Sequence, residues 1–188
     1  RKMLTLKDRY AQIQERIAQA ATRAGRDVND IKLVAVSKTR PLCEILELHQ
    51  LGQQHFGENR VEEATDKIKA AGEITWHMIG HIQSRKAKEV AENFDWVHSV
   101  ESVSLAEKLN RAVAASPLPI LLECNISGEE SKYGFRVESW ESFCASVEPI
   151  LKLPNVRVCG LMTMAPMVEE VELTRPVFRQ LRVLRDKL

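Results

Sequence analysis

An incomplete (β/α) barrel is the fold class that this sequence predicts, and three observations carry it. Short apolar runs alternate with stretches of helical apolar spacing along the whole chain. The strand-like runs begin near residues 33, 54, 75, 95, 119 and 156, so the first four steps are 21, 21, 20 and 24 residues and the last is 37. Such short steps suit the repeated strand–helix pairs of a parallel barrel better than Rossmann-type units. No low-complexity stretch or linker interrupts the 188 residues, so one domain over 1–188 is expected, and at 44% hydrophobic it can bury a core.

Leu6, Tyr10, Ile13, Ile17 and Ala20 recur at helical spacing, which predicts a helix over 5–23 stopped by Gly25. Residues 31–36 form an apolar, β-branched-rich run broken only by Lys32. That run predicts a strand buried on both faces, then the loop Ser37-Lys38-Thr39-Arg40 and a helix with Pro41 near its first turn. The same grammar repeats with strands at 55–57, 75–80, 96–100, 119–126 and 156–163. Helices at 59–70, 84–92, 104–115, 138–151 and from 170 to the end follow them. These are six strand–helix units, whereas a closed barrel needs eight and typically ~250 residues. Six parallel strands leave two open edges, an association hazard. A fragment, a partner strand that completes the barrel, and an open sheet all stay open, and a few residues are expected ahead of Arg1.

With 27 basic and 26 acidic residues the net charge is +1, which points to no surface for nucleic acid or anionic membrane. No apolar run approaches the ~20 residues of a membrane-spanning helix, and the charged start lacks the apolar core of a signal peptide. Cys43, Cys124, Cys144 and Cys159 form no CxxC pair. Three of them lie in apolar or helical segments, where buried thiols are the usual reading, and a reducing cytoplasm is the expected compartment.

Lys38 is the first candidate for chemistry. It stands at the carboxyl end of the first strand, where barrel enzymes place reactive groups. Strand alternation puts Val34, Val36 and Lys38 on one face. If that face lines the barrel, desolvation lowers the lysine pKa and frees the amine for imine formation. From position alone, an ordinary loop lysine reaching for water is the more usual reading. In His55-Phe56-Gly57-Glu58-Asn59, Asn59 suits either a ring hydroxyl or the cap of the next helix. His77 and His81 bracket the third strand, and their spacing of four suits a metal only on a helix, so no metal site is expected. His81 suits a ligand contact or a turn. The loop 125–135 suits a lid, a phosphate-facing segment or a solvated connection. Met162 and Met164 share a strand face, for an aromatic ring or for the core.

Taken in order, Leu33-Val34-Ala35-Val36-Ser37-Lys38-Thr39, His55-Phe56-Gly57-Glu58-Asn59, Trp76-His77-Met78-Ile79-Gly80, Ser131-Lys132-Tyr133-Gly134-Phe135 and Gly160-Leu161-Met162-Thr163-Met164 form a series. That series resembles the successive motifs of the pyridoxal phosphate homeostasis protein family (YggS/PROSC-like), itself similar to the N-terminal barrel of alanine racemase. The resemblance implies a (β/α)8 TIM-type barrel of PLP fold type III, with about six units in this chain. It implies pyridoxal 5′-phosphate (PLP) as cofactor, held as an imine on Lys38, with Asn59 and Met162 beside it; Val36 and His81, at the strand ends, are expected as further contacts. Family members carry about two more units that supply a phosphate cup and an arginine near the pyridine nitrogen, so weakened cofactor grip is expected. The implied role is an intracellular PLP carrier or buffer with no established catalysis, no catalytic residue assigned, PLP-dependent apoenzymes as recipients, and a monomeric state. The alternative is a PLP-dependent amino-acid racemase-like enzyme. A two-base racemase needs a second acid/base, usually a tyrosine of another domain, and only Tyr10 and Tyr133 occur here. A module that regulates another protein through exposed helix faces is a third reading, although no unusual apolar patch is expected.

Overall fold

The computed structural model describes residues 3–188; Arg1 and Lys2 lie outside the described residues. Six parallel strands form the main sheet: β1 (Ala35–Val36), β2 (His55–Glu58), β3 (Thr75–Met78), β4 (Trp96–Val100), β5 (Leu118–Asn125) and β7 (Val156–Met162). They pair in that order, and a two-residue β6 (Phe135–Arg136) continues beside the end of β5. The helix α1 (Leu6–Arg23) precedes the strands, α2 (Leu42–Gln50), α3 (Val61–Ala71), α4 (Ala87–Asn93), α5 (Val103–Ala112) and α6 (Trp140–Leu151) separate them, and α7 (Arg175–Lys187) follows the last. This is the alternating barrel order that the sequence predicts, with the sheet open among the described residues.

Local chemistry sets the element ends. Thr5 caps α1 by accepting the Asp8 amide while the Asp8 carboxylate accepts the Thr5 amide. Gly25, at φ +63°, ends it, and the Arg26 amide returns to the Ala21 carbonyl at 2.9 Å. Ser139 caps α6 through a like reciprocal pair with Ser142, and Ser102 caps α5 by accepting the Leu105 amide. α5 stops at Ala112 rather than 115, because Val113 is already extended ahead of Pro117 and β5.

The core lies between the sheet and the helices. Phe56, Trp76, Met78, Val97, Ile120 and Leu122 alternate onto that face of their strands and pack against Ile45, Val61, Val90, Leu109 and Phe143. Each such side chain contributes about 1.5–3 kcal/mol of burial free energy. By the same alternation His55, Gly57, His77 and His98 point to the opposite, barrel-interior face.

Four expectations need correction. The first strand covers only 35–36, and it is not buried on both faces: Val36 is 53% exposed, because β1 has a paired neighbour on one side only. The segment 84–92 opens as a 3-10 turn (Ser84–Lys86) before α4. The cysteines are not uniformly buried: Cys124 is, Cys144 is half-buried, and Cys43 and Cys159 are exposed. An apolar patch does exist, since Met164, Met167, Val171, Leu173, Phe178 and Val183 are all exposed around β7 and α7. Val36 and this patch lie at opposite edges of the open sheet, where no further strand covers them among the described residues.

Candidate functional site at the carboxyl end of the sheet

Lys38 sits in the tight turn after β1, and its neighbours are fixed while its side chain is not. The buried Ser37 donates its amide to the Gly57 carbonyl at 3.0 Å and its hydroxyl to Glu58 Oε1 at 3.0 Å. The Arg40 amide closes the turn on the Ser37 carbonyl at 3.0 Å. Thr39 takes φ +63°, the one positive value at a non-glycine among the described residues, and donates its amide to Glu63 Oε1. Such a backbone costs about 1–3 kcal/mol and persists only where its surroundings over-determine it. Lys67 Nζ supplies part of that, donating to the Ser37 carbonyl at 3.0 Å, Glu58 Oε1 at 2.7 Å and Glu63 Oε1 at 2.8 Å. Burial opposes the Lys67 charge, but the two carboxylates outweigh it and hold its pKa above the ordinary value. The Lys38 side chain itself is exposed, so the apolar surroundings expected beneath its ammonium are not present on this open face. Continuing the β1–β2 register of Val36 with Gly57 sets Lys38 level with Asn59.

Beside it lies a cleft of ≈ 330 Å³ lined by Asn59, His81, Glu123, Asn125, Lys132, Tyr133 and Met164, among others. Asn59 does not cap α3: Arg60 holds that position without a side-chain bond, and the Asn59 amide makes no hydrogen bond among the described residues. Gly80 permits the close approach here. A Cβ on it would stand 2.4 Å from the Asn59 carbonyl oxygen. His81 stacks on Tyr133, with ring centres 4.0 Å apart and planes 11° apart, and its Nδ1 lies 3.2 Å from Glu101. The loop after β5 is an ordered connection. Asn125 donates to the Glu129 carbonyl at 2.8 Å and accepts the Gly128 amide at 3.0 Å, so that amide is already committed. Gly134, at φ +117°, lies so close to β5 that a Cβ would meet the Asn125 nitrogen at 2.8 Å. Buried Glu123 has its carboxyl pushed up by desolvation and then by Glu101. Met162, half-buried, stands in register with Glu123 on β7, and Met164 lines the cleft. The structure thus gathers Asn59, His81 and Met164 at one mouth. Met162 stands beside it on β7 and Lys38 on the turn after β1, whereas Val36 lines a separate groove between β1 and the helices α1 and α2. Tyr10 is remote and buried, donating its hydroxyl to Gln53 at 3.0 Å, whereas Tyr133 forms a cleft wall.

One constellation escaped the sequence reading. His55 Nδ1 meets His77 Nε2 at 2.9 Å, and His77 Nδ1 meets His98 Nε2 at 2.8 Å. At those separations the ring nitrogens bond one another and leave no space for an ion between them. Burial pushes His77 down to about 3, with the His98 and His55 charges adding to it, and pushes His98 down to about 4. His55 is lowered too, by burial and then by Lys32. The signal available was the strand spacing: three histidines on inward positions of three successive strands.

The amine, the amide of Asn59, the buried carboxyl and the flat stacked pair together make a donor set for a carbonyl-bearing, aromatic, polar ligand. Residues 9–188 match the family model of the alanine racemase N-terminal domain. The chain is 40% identical over 180 residues to the pyridoxal phosphate homeostasis protein of Escherichia coli K12, covering 92% of this chain and 76% of that one. It is 39% identical over 186 residues to the protein of that name in Pseudomonas aeruginosa, covering 97% and 80%. The solved structure of PipY from Synechococcus elongatus with PLP bound superposes with a TM-score of 0.74 at 32% identity, covering 91% of this chain and 81% of that one. Alanine racemase of Clostridium difficile, at 16% identity and a TM-score of 0.67 over 84% of this chain and 43% of that one, shares the fold.

Proposed function

We propose that this chain, which belongs to the pyridoxal phosphate homeostasis protein family, binds PLP as an imine on Lys38 and acts as a carrier or buffer of that cofactor inside the cell. The observation that carries the reading is the Lys38 amine, which stands exposed on a turn pinned at both neighbours, beside a cleft walled by Asn59, His81 and Tyr133. A primary amine supplies the nucleophile for an aldehyde. Asn59 suits the ring oxygen, and Met162 and Met164 offer thioethers to a flat ring. When bound, PLP supplies an electron sink for amine chemistry. Val36 and His81 complete the proposed contacts. The rest of the reading is a cytoplasmic monomer that hands PLP to dependent apoenzymes, with no nucleic-acid or membrane partner. Among the described residues no helix is long and apolar enough to cross a membrane.

The test is chemical trapping. After addition of PLP and reduction with borohydride, digestion should place the label on Lys38, and Lys38→Ala should abolish the visible imine absorbance with the far-UV spectrum unchanged. Label on Lys32 or Lys132 instead would refute the assignment. Tyr133 at the cleft wall is the observation that favours a racemase-like reading. Incubation with L- and D-alanine tests it, and turnover near ~10 s⁻¹ would overturn the carrier reading.

A further inference from the structure

Lys67 is an ammonium without freedom. Its three N–H bonds face three oxygens at 2.7–3.0 Å: Glu58, Glu63 and the Ser37 carbonyl. Glu58 is fully buried, and its Oε2 has no hydrogen-bond partner among the described residues. A buried carboxylate with half its lone pairs unmet is expensive unless a paired cation and hydrogen bonds compensate it. The cluster spans three elements, the β1 turn, the end of β2 and α3. Its bonds converge on the two residues that flank Lys38, reaching Ser37 through hydroxyl and carbonyl and Thr39 through its amide.

We propose that Lys67, together with Glu58 and Glu63, is a positioning residue for Lys38. The inference rests on the cofactor reading above. The cluster holds Ser37 and Thr39 so that the left-handed Thr39 backbone is retained and the Lys38 amine is delivered level with Asn59. Lys67 touches neither the amine nor the cleft, so it acts through the turn. Methionine at 67 would keep length and apolar stem but remove all three donors. Glutamine at 63 would keep an acceptor for the Thr39 amide while removing the charge paired with Lys67.

The experiment measures borohydride-trapped PLP label on Lys38 relative to Lys32 in the same sample, and amide hydrogen exchange over residues 37–40 in protein without PLP. For Lys67→Met the Lys38:Lys32 ratio should fall at least tenfold and exchange at 37–40 should quicken. Glu63→Gln should move both the same way by a smaller factor. Label at each lysine is also read per mole of protein: loss of positioning lowers Lys38 label with Lys32 label unchanged, whereas a merely structural loss raises Lys32 label and leaves Lys38 label no lower. If Lys67→Met does not fold, Glu63→Gln decides, since Glu63 stands at the more accessible rim of the cluster. Unchanged ratio and exchange in the folded variants, with Lys38 labelled in the unaltered protein, would overturn the positioning role alone. No label on Lys38 in the unaltered protein would overturn the cofactor reading and this inference with it.

Discussion

Mild acid should destabilise this protein through the histidine chain before its carboxylates matter. An unfolded histidine titrates near ~6.5, whereas His77 is pushed down to about 3 and His98 to about 4 in the fold. Both native rings stay neutral while the unfolded chain takes up protons. Their stabilising contribution is therefore complete above the unfolded value and is lost as pH falls from 6.5 toward the folded values. From pH 6.5 to 4.5 each ring forgoes up to two units, about 2.7 kcal/mol at ~1.36 kcal/mol per unit. The two rings share a hydrogen bond and His98 is only half-buried, so the joint loss is nearer ~3–5 kcal/mol than their sum. That is a large part of the ~5–15 kcal/mol that holds a typical domain together. Buried Glu123 works the other way: its carboxyl is raised, so its penalty eases as pH falls through the folded value and offsets part of the loss. Glu63, held low by Lys67 and the Thr39 amide, begins to cost stability only below the ordinary carboxylate value, under this window.

Urea unfolding followed by far-UV circular dichroism at half-unit steps from pH 7.5 to 4.5 measures the slope. The unaltered protein should lose the stated free energy, and His77→Gln/His98→Gln should flatten the slope even if it lowers stability at pH 7. A flat profile in the unaltered protein, or an equal slope in the double variant, would refute the assignment to these rings.

Two further substitutions test the backbone of the site. Gly80→Ala should cost about 1–3 kcal/mol, because the new methyl group would meet the Asn59 backbone rather than a side chain that can yield, and thermal unfolding would register it. Thr39→Gly should raise stability by about 0.5–1 kcal/mol, since glycine relieves a β-branched residue at φ +63° without removing the amide that Glu63 accepts; a lower midpoint would contradict the strain assigned there.

Strands and helices were legible because alternation and helical spacing are local. The run 96–100 became β4 unchanged, and 55–57 and 75–80 each fall within a few residues of β2 and β3. The β1 edge was not legible. A run such as Leu33-Val34-Ala35-Val36 reads as doubly buried whether or not something covers it, and its burial depends on elements far away in the chain. Asn59 was found through motif order and His81 through its place at a strand mouth, and both line the cleft, since strand-end positions of a parallel sheet converge at one mouth; the methionine that lines it is Met164, two residues past the expected Met162. His55 and His98 were passed over because each is unremarkable alone. Only the register of β2, β3 and β4 brings their nitrogens to His77.

The buried charges follow a related logic. Replacing a buried ion pair with apolar residues is often neutral or stabilising, so Glu58 and Lys67 add little to the fold by their pairing alone. An apolar pair at those positions would fill the same space between β2 and α3. It could not accept the Ser37 hydroxyl or donate to the Ser37 carbonyl, and Glu63 would lose the ammonium it is paired with. The Gly57 ladder bond and the Arg40 amide would still fix where the strand ends, but the left-handed Thr39 backbone that follows would depend on a Glu63 carboxylate no longer held by Lys67. The charges are placed where a tight four-residue turn, Ser37 to Arg40, must be kept in one conformation, and Lys38 is one of its two central residues.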